Sequence, residues 1–288
     1  MVQSGVRTFA IILAAGTGSR MNTVDKLPKQ FIELNGETIL MMSLKKFLAV
    51  NEIEKVYLSI NEEWKSVYLD ILDTLSANER NRVVLVHGGN SRAESLHLAM
   101  MRLRADILPT CIEDKSQRIS VLSHDAARPF ISSKLIRDHI NKLAYHDIVA
   151  TVLSASDTMY YAKDMLLVDV PERKNCFHAQ TPQSITLDKY FKEWESYIKD
   201  RLQVCIGKEI EDLSIKYNCE NDLQALLNIH SQSGGEKIIF ENLTDLISMI
   251  DLKKNQVILI EGDKMNFKIT TDFDLQMAQL IVERNINE

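Results

Sequence analysis

The chain has 288 residues, of which 45% are hydrophobic and 26% charged, and its formal net charge is −6. This length allows one large α/β domain with a sizeable buried core, which excludes a small fold stapled by disulfides or metal. The negative charge argues against broad contact with nucleic-acid phosphates, although it is compatible with a local basic pocket for a small anion.

The first apolar run and the cysteines indicate a cytoplasmic protein. Phe9–Ala15 is too short to span a bilayer and lacks the charged front and cleavage site of a secretory signal. The four cysteines are widely spaced and form no CxxC pair, which indicates neither a zinc knuckle nor a disulfide framework. We therefore expect reduced cysteines and a cytoplasmic location.

Short β-rich runs alternate with amphipathic segments of helical length through the first half of the chain, which predicts βαβ units around a mainly parallel sheet. The predicted strands are Thr8–Leu13, Lys55–Ile60, Arg82–His87, Ile119–Ser123 and Ile148–Leu153. The predicted helices are Thr38–Ala49, Glu62–Leu75, Ser91–Arg104 and Ser133–Ala144. Ligands of such sheets bind at the carboxyl ends of the strands.

The second half of the chain has a different pattern. Residues 154–181 form short extended pieces interrupted by Pro171, which predicts an arm or hairpin that leaves the sheet. Leu187–Ile229 is charged and helical in period, and Ser231–Gly235 has the composition of a loop. A strand at Gln256–Ile260 and a helix at Asp272–Arg284 are predicted to end the domain.

A glycine-rich loop follows the first strand. Gly16 and Gly18 allow a tight turn whose backbone N–H groups can surround phosphate oxygens, although a purely structural turn is an alternative. A dinucleotide-binding fingerprint would need a small residue in place of Met21, and the GxxxxGK[ST] pattern is absent. Arg20 and Lys29 beside this loop suit a triphosphate; the alternative is that both are solvated surface charges.

Two further motifs follow predicted strands. In the turn after His87, Asn90 and Ser95 could bond a planar base edge, or the segment could be an ordinary βα turn capped by Ser91. After Ile119–Ser123, Asp125 could hold Mg²⁺ against phosphate oxygens while Arg128 grips a phosphate. A buried Asp125–Arg128 pair is the structural alternative, and a packed His124 is expected rather than an acid or base.

Seven segments follow one another along the chain in this order: AAGTGSRM, PKQ, GGNSRAES, HDAARP, DT, TPQ and NFKITT. Together they carry a resemblance of the chain to the cytidylyltransferase family that includes the methylerythritol-phosphate and ribitol-phosphate enzymes. The resemblance runs from about Phe9 to Leu280. It implies an α/β fold, a Rossmann-like nucleotidyltransferase with a mainly parallel twisted sheet, a protruding β-arm and a helical insertion. The chain would be a single nucleotidyltransferase domain over residues 1–288, with a dimerisation arm at 154–181 and the insertion at 190–242.

The resemblance also implies a set of site residues. Arg20, Lys29 and Lys268 would stabilise charge around the α-phosphate, and Asp125 would position Mg²⁺ as cofactor. The residues implied to bind CTP are Ala14, Ala15, Gly16, Gly18, Gly89, Asn90 and Ser95. Those implied to bind a polyol phosphate are Arg128, Thr181 and Lys268, joined across a homodimer by Thr158 and Arg173.

The resemblance favours ribitol phosphate as the acceptor. Gln180, Val170–Arg173 and Glu63–Trp64 are similar to the ribitol-phosphate branch, which serves wall or capsule polymers. Asn90 stands where an acidic residue is frequent in the family, and Asp272 replaces a usual proline. Tyr160 replaces a basic residue that is common in the methylerythritol branch, so arabitol and mannitol phosphates are further candidates. The alternatives are an isoprenoid-branch cytidylyltransferase, a nucleotide-binding protein that has lost catalysis, and a dinucleotide oxidoreductase.

Overall fold

The structure is a computed structural model that describes residues 6–16, 27–111, 117–206, 240 and 243–286. The strands are β1 (Val6–Leu13), β2 (Glu33–Leu34), β3 (Glu37–Thr38), β4 (Ile53–Ile60), β5 (Val83–His87), β6 (Arg118–Asp125), β7 (Ile148–Ser154), β8 (Tyr161–Lys163), β9 (Leu166–Asp169), β10 (Phe177–Thr186) and β11 (Ile258–Glu261). The helices are α1 (Ile39–Leu48), α2 (Lys65–Leu72), α3 (Ala77–Asn81), α4 (Arg92–Cys111), α5 (Ser133–Leu143), α6 (Leu187–Ile206) and α7 (Asp272–Ile286). Short 3₁₀ turns lie at Lys29–Phe31, Glu62–Trp64, Arg173–Asn175 and Ile247–Met249.

Within the described residues, seven strands form one sheet in the order β11-β7-β10-β6-β1-β4-β5. All neighbours pair in parallel except β10, which is antiparallel to both β6 and β7. This confirms the predicted α/β fold with a mainly parallel sheet. Each predicted strand and helix of the first half is confirmed within a few residues, although α4 runs on to Cys111.

The two faces of the sheet bury two apolar clusters. Along β1, Ala10 and Ile12 pack with side chains of α1, α2 and α5, whereas Phe9 and Ile11 pack with those of α4 and α6. Successive side chains of a strand point to opposite faces, so a run that is apolar at every position predicts helices on both sides. The sheet is therefore a buried central layer, and its carboxyl edge is left for ligands.

The predicted arm leaves the sheet over a shorter stretch than residues 154–181. Phe177 pairs with Ser154 of β7, and β10 continues through Gln183–Thr186 beside β6, so these residues belong to the sheet. Between these ends, β8 and β9 form an exposed antiparallel hairpin. The protruding β-arm is thus confirmed as a feature of the fold, whereas its role in dimerisation stays a prediction.

Helix α6 begins the region predicted as a helical insertion. Tyr190, Trp194 and Ile198 are buried against the sheet, so this part of the region belongs to the domain core. The predicted loop at Ser231–Gly235 lies outside the described residues. In the described part of the chain, no helix is both long and apolar enough to cross a membrane.

Candidate active site

A cavity of about 730 Å³ opens at the carboxyl edge of the sheet, where the sequence predicts a ligand site. Its walls come from the segments after β1, β4, β5 and β6, together with Lys268 from the segment before α7. The predicted site residues that line it are Ala14, Ala15, Gly16, Lys29, Gly89, Asn90, Ser95, Asp125 and Lys268. The predicted Gly18 and Arg20 lie outside the described residues.

The loop after β1 is held by two side chains that the sequence did not single out. Gln30 Nε2 donates to the carbonyl oxygens of Ala14 at 2.7 Å and Gly16 at 3.0 Å, and Tyr68 Oη donates to Ala14 O at 2.6 Å. Gln30 and Tyr68 are themselves buried. Ala14 N also donates to Ser59 O at 3.0 Å, so hydrogen bonds fix the main chain of the loop at Ala14 through both its N–H and its carbonyl group.

The double-glycine turn is bonded to the start of α4. Ser95 Oγ accepts from Gly89 N at 3.0 Å, and Glu94 Oε2 accepts from Asn90 N at 2.6 Å. Ser91 Oγ accepts from Glu94 N at 3.1 Å, which confirms Ser91 as the helix cap. A Cβ at Gly88 would lie 2.3 Å from Ala15 Cβ, so a glycine is needed where this turn contacts the loop after β1.

Asp125 lies at the end of β6 among three cations. Its Oδ1 accepts from Arg92 Nε at 2.8 Å, its Oδ2 accepts from Lys268 Nζ at 2.8 Å, and Arg128 Nε lies 3.8 Å from Oδ2. Burial by itself raises the pKa of Asp125, but the charges of Arg92, Lys268 and Arg128 outweigh it and hold that pKa well below its usual range. Asp125 is therefore an anion that organises the cations around it.

Lys268 and Lys29 approach the cavity together. Lys29 Nζ donates to the carbonyl oxygen of Ile269 at 2.7 Å, which ties it to the residue after Lys268. Asn266 fixes the same segment, because its Nδ2 donates to Thr181 O at 2.7 Å. Lys29 and Lys268, 239 positions apart in sequence by their residue numbers, are thus held at one site.

Arg128 and Thr181 support Asp125 from behind and do not line the cavity. Arg128 Nη1 donates to Asn266 O at 2.8 Å, and Thr181 Oγ1 accepts from Asp125 N at 3.2 Å. Burial lowers the pKa of His124 to about 4, so the ring is neutral at pH 7. Its Nε2 then donates to Arg128 O and its Nδ1 accepts from the Thr181 hydroxyl, which confirms a packed, hydrogen-bonded histidine.

Thr158 and Arg173 lie on the exposed arm, away from the cavity of their own chain. Arg173 Nη1 donates to Ser156 O at 3.3 Å, so the two ends of the arm are joined there. The contact of Thr158 and Arg173 with an acceptor across a dimer stays a prediction.

The carboxylates that line the cavity are already paired. Glu62 contacts His87 Nδ1 at 2.5 Å and Lys65 Nζ at 2.9 Å, Glu94 accepts from Asn90 N, and Asp125 accepts from two cations. Among the residues that the structure describes, no three His, Cys, Asp or Glu side chains form a group that could hold a metal ion. The role of Asp125 in positioning Mg²⁺ stays a prediction.

An α/β sheet with a glycine loop, a double-glycine turn and a cation cluster at its carboxyl edge is typical of a nucleotide-binding protein. The model of the 2-C-methyl-D-erythritol 4-phosphate cytidylyltransferase (IspD) family matches residues 8–204, and the chain belongs to this family. The chain is therefore a cytidylyltransferase. Retention of Lys29, Asp125 and Lys268 in one cavity agrees with this activity.

Known relatives and solved structures match almost the whole chain. Ribitol-5-phosphate cytidylyltransferases of Streptococcus pneumoniae strains ATCC 700669 / Spain 23F-1 and D39 are 31% identical over 278 residues, which is 96% of this chain and 99% of theirs. The structure of 2-C-methyl-D-erythritol 4-phosphate cytidylyltransferase from Francisella tularensis is 25% identical, with a TM-score of 0.60 and coverage of 95% and 99%. The 4-diphosphocytidyl-2C-methyl-D-erythritol synthase from Anaerococcus prevotii is 23% identical and shares the fold, with a TM-score of 0.67 and coverage of 96% and 98%.

Proposed function

We propose that this cytidylyltransferase transfers CMP from CTP to ribitol-5-phosphate, giving CDP-ribitol and pyrophosphate for wall or capsule polymer synthesis. The observation that carries the acceptor is the 31% identity to ribitol-5-phosphate cytidylyltransferases along 96% of the chain. Four solved structures of methylerythritol-phosphate cytidylyltransferases or 4-diphosphocytidyl-2C-methyl-D-erythritol synthases, which match 95–96% of this chain, are 18–25% identical to it. The cavity supports the transfer itself, because it combines a phosphate loop with fixed cations.

In this mechanism, Gly89, Asn90 and Ser95 bind the cytosine and ribose, and the loop from Ala14 to Gly18 surrounds the phosphates. Lys29 and Lys268, with Arg20, stabilise the charge that develops at the α-phosphate. The phosphate oxygen of the acceptor attacks the α-phosphorus in line, a new P–O bond forms, and pyrophosphate leaves with the electrons of the bond that breaks. The attacking oxygen is already ionised, so positioning and electrostatics supply most of the catalysis.

We further propose Mg²⁺ as the cofactor, held mainly by phosphate oxygens of CTP, with Asp125 as one neighbouring carboxylate. When bound, the ion would neutralise charge on the phosphates. Pyrophosphate release should stop in excess EDTA and return on addition of MgCl₂. Turnover that persists in EDTA would contradict the cofactor proposal and leave the transfer reaction standing.

A homodimer is the proposed assembly, with the arm embracing the partner subunit. The hairpin carries Met165 at 97% exposure, with Leu166 at 72% and Val168 at 59%. An apolar surface of this kind is typical of a protein interface. Leu166→Glu with Val168→Glu should halve the mass measured by light scattering and lower turnover, because Thr158 and Arg173 would lose the neighbouring site. A monomeric wild-type protein would contradict the proposal.

The acceptor is tested by pyrophosphate release from CTP with ribitol-5-phosphate, methylerythritol 4-phosphate, arabitol 5-phosphate and mannitol 1-phosphate. We expect the highest kcat/KM with ribitol-5-phosphate. A preference for methylerythritol 4-phosphate would replace the proposed pathway with isoprenoid synthesis.

A further inference from the structure

Arg92 is a cavity residue to which neither the sequence motifs nor the proposed mechanism gives a role. It is the first residue of α4, lines the cavity, and has a side chain that is 22% exposed. Its Nε donates to Asp125 Oδ1 at 2.8 Å. Its Nη1 and Nη2 are buried and have no hydrogen-bond partner among the described residues. The ion pair with Asp125 thus uses one of the three guanidinium nitrogens.

Unpartnered guanidinium nitrogens are costly in a buried position. A guanidinium group has five N–H donors in a planar fork that suits the oxygens of a phosphate, and four of these donors belong to the Nη atoms. Buried donors without an acceptor destabilise a protein unless something else satisfies them. The role of fixing Asp125 explains the Nε contact but leaves the two Nη atoms unexplained.

The charge around Asp125 favours an oxyanion as the acceptor. One carboxylate contacts three cations, Arg92, Lys268 and Arg128, so positive charge exceeds negative charge at this end of the cavity. The position of Arg92 as the first helical residue adds the partial positive charge of the α4 amino terminus. A phosphate oxygen would satisfy both the charge and the donors.

We propose that Arg92 binds a nonbridging oxygen of the α-phosphate of CTP through its Nη atoms while its Nε holds Asp125. Arg92 follows the turn that contains Gly89 and Asn90, and it contacts the carboxylate that holds Lys268. It therefore lies between the proposed base end of the cavity and a proposed catalytic cation, and the α-phosphate is the group that joins those two ends. Arg92 would be a further catalytic residue, and this assignment rests on the proposed placement of the nucleotide.

Arg92→Lys distinguishes a ligand from a residue that only positions Asp125. Lysine keeps one positive charge that can pair with Asp125, but it lacks the second set of donors. Arg92→Gln removes the charge as well. Arg118→Lys is the matched control, because Arg118 lies at the opposite end of β6 and pairs with Asp147 and backbone carbonyls there.

Calorimetric titration with cytidine, CMP and CTP measures where the contact is made. In the wild type we expect CMP to bind more tightly than cytidine. Arg92→Lys and Arg92→Gln should each weaken CMP binding by about tenfold or more, the usual size of a hydrogen bond to a charged group. Unchanged affinity for cytidine would show that both variants are folded, and Arg118→Lys should bind all three ligands like the wild type.

CTPαS, in which sulfur replaces a nonbridging oxygen of the α-phosphate, gives a second readout. If Arg92 only positioned Asp125, its substitution would not change the difference in rate between CTP and CTPαS. One diastereomer of CTPαS should react more slowly than CTP in the wild type, and Arg92→Gln should reduce that difference. Wild-type CMP affinity in Arg92→Lys would overturn the ligand role in favour of positioning. A loss that appears with CTP but not with CMP would overturn the α-phosphate assignment. A wild type that binds none of the three ligands, CTP included, would instead refute the proposed function on which the inference rests.

Discussion

Acidification from pH 7 to pH 5 is expected to destabilise this protein, because three histidines are buried in their neutral form. Burial lowers the pKa of His97 to about 4, of His124 to about 4 and of His139 to about 3. The imidazole of an unfolded chain has a pKa of about 6.5. Between these values the unfolded state binds more protons than the folded state, so stability is complete above about pH 6.5 and falls as the pH falls toward 4.

The expected size of this effect follows from the pKa differences. At pH 5 the unfolded state gains about 2 kcal/mol from each histidine, because one pH unit corresponds to about 1.4 kcal/mol per proton. The three histidines together give about 6 kcal/mol, which is comparable with the whole stability of a typical domain, about 5–15 kcal/mol. Carboxyl groups of ordinary pKa are still ionised in this window, so the histidines dominate the change.

Urea unfolding, followed by circular dichroism at pH 7 and at pH 5, measures the loss in the free energy of unfolding. His97→Gln should remove about a third of it, because glutamine can still bond the Tyr190 hydroxyl but does not titrate, and each buried histidine contributes about 2 kcal/mol. His178, exposed on β10, supplies the control His178→Gln, which should keep the full dependence on pH. Equal urea midpoints at the two pH values, or an unchanged dependence in His97→Gln, would refute this reasoning.

Two further changes test the site. Lys29→Ala or Arg20→Ala should lower turnover by about 10²-fold and leave the melting temperature unchanged, because each removes one preorganised charge-stabilising donor. Near-wild-type turnover in both variants would contradict their proposed roles. The control is Lys45→Ala, at an exposed ion pair with Glu37. Gly88→Ala should weaken CTP binding by about tenfold or more, because its Cβ would lie 2.3 Å from Ala15 Cβ and push the two loops apart. The matched Gly16→Ala, whose Cβ would meet no atom of the described residues within 4 Å, should keep the wild-type melting temperature.

Much of the fold could be predicted because strands and helices leave local patterns of apolar residues in the sequence. Runs such as Phe9–Leu13 and Val83–Val86 are apolar at successive positions, as buried parallel strands require, and the segments between them have helical periodicity. Strand β10 could not be found in this way. Its inner half contains Gln180, Gln183 and Ser184, polar residues that are buried in the structure.

Tertiary hydrogen bonds explain why β10 tolerates that composition. Gln183 Nε2 donates to Asp245 Oδ2 at 2.8 Å and its Oε1 accepts from Leu246 N at 3.1 Å, while Ser184 Oγ bonds His139 Nδ1 at 2.6 Å. Buried polar groups are stable only when such partners exist, and partners distant in sequence are invisible to a local pattern. The predicted arm therefore extended too far into the sheet.

The sequence by itself determined the class of ligand. It has a glycine loop, a double-glycine turn and the HDAARP segment after predicted parallel strands, and glycine turns and cations at such positions suit phosphates. The sequence also determined that these three segments lie at the carboxyl edge of the sheet. Only the tertiary structure decided which charges meet: Arg92 and Lys268 are far from Asp125 in sequence, yet each contacts one of its oxygens. Electrostatic interactions depend on distance in space, and that distance is set by packing of the whole domain.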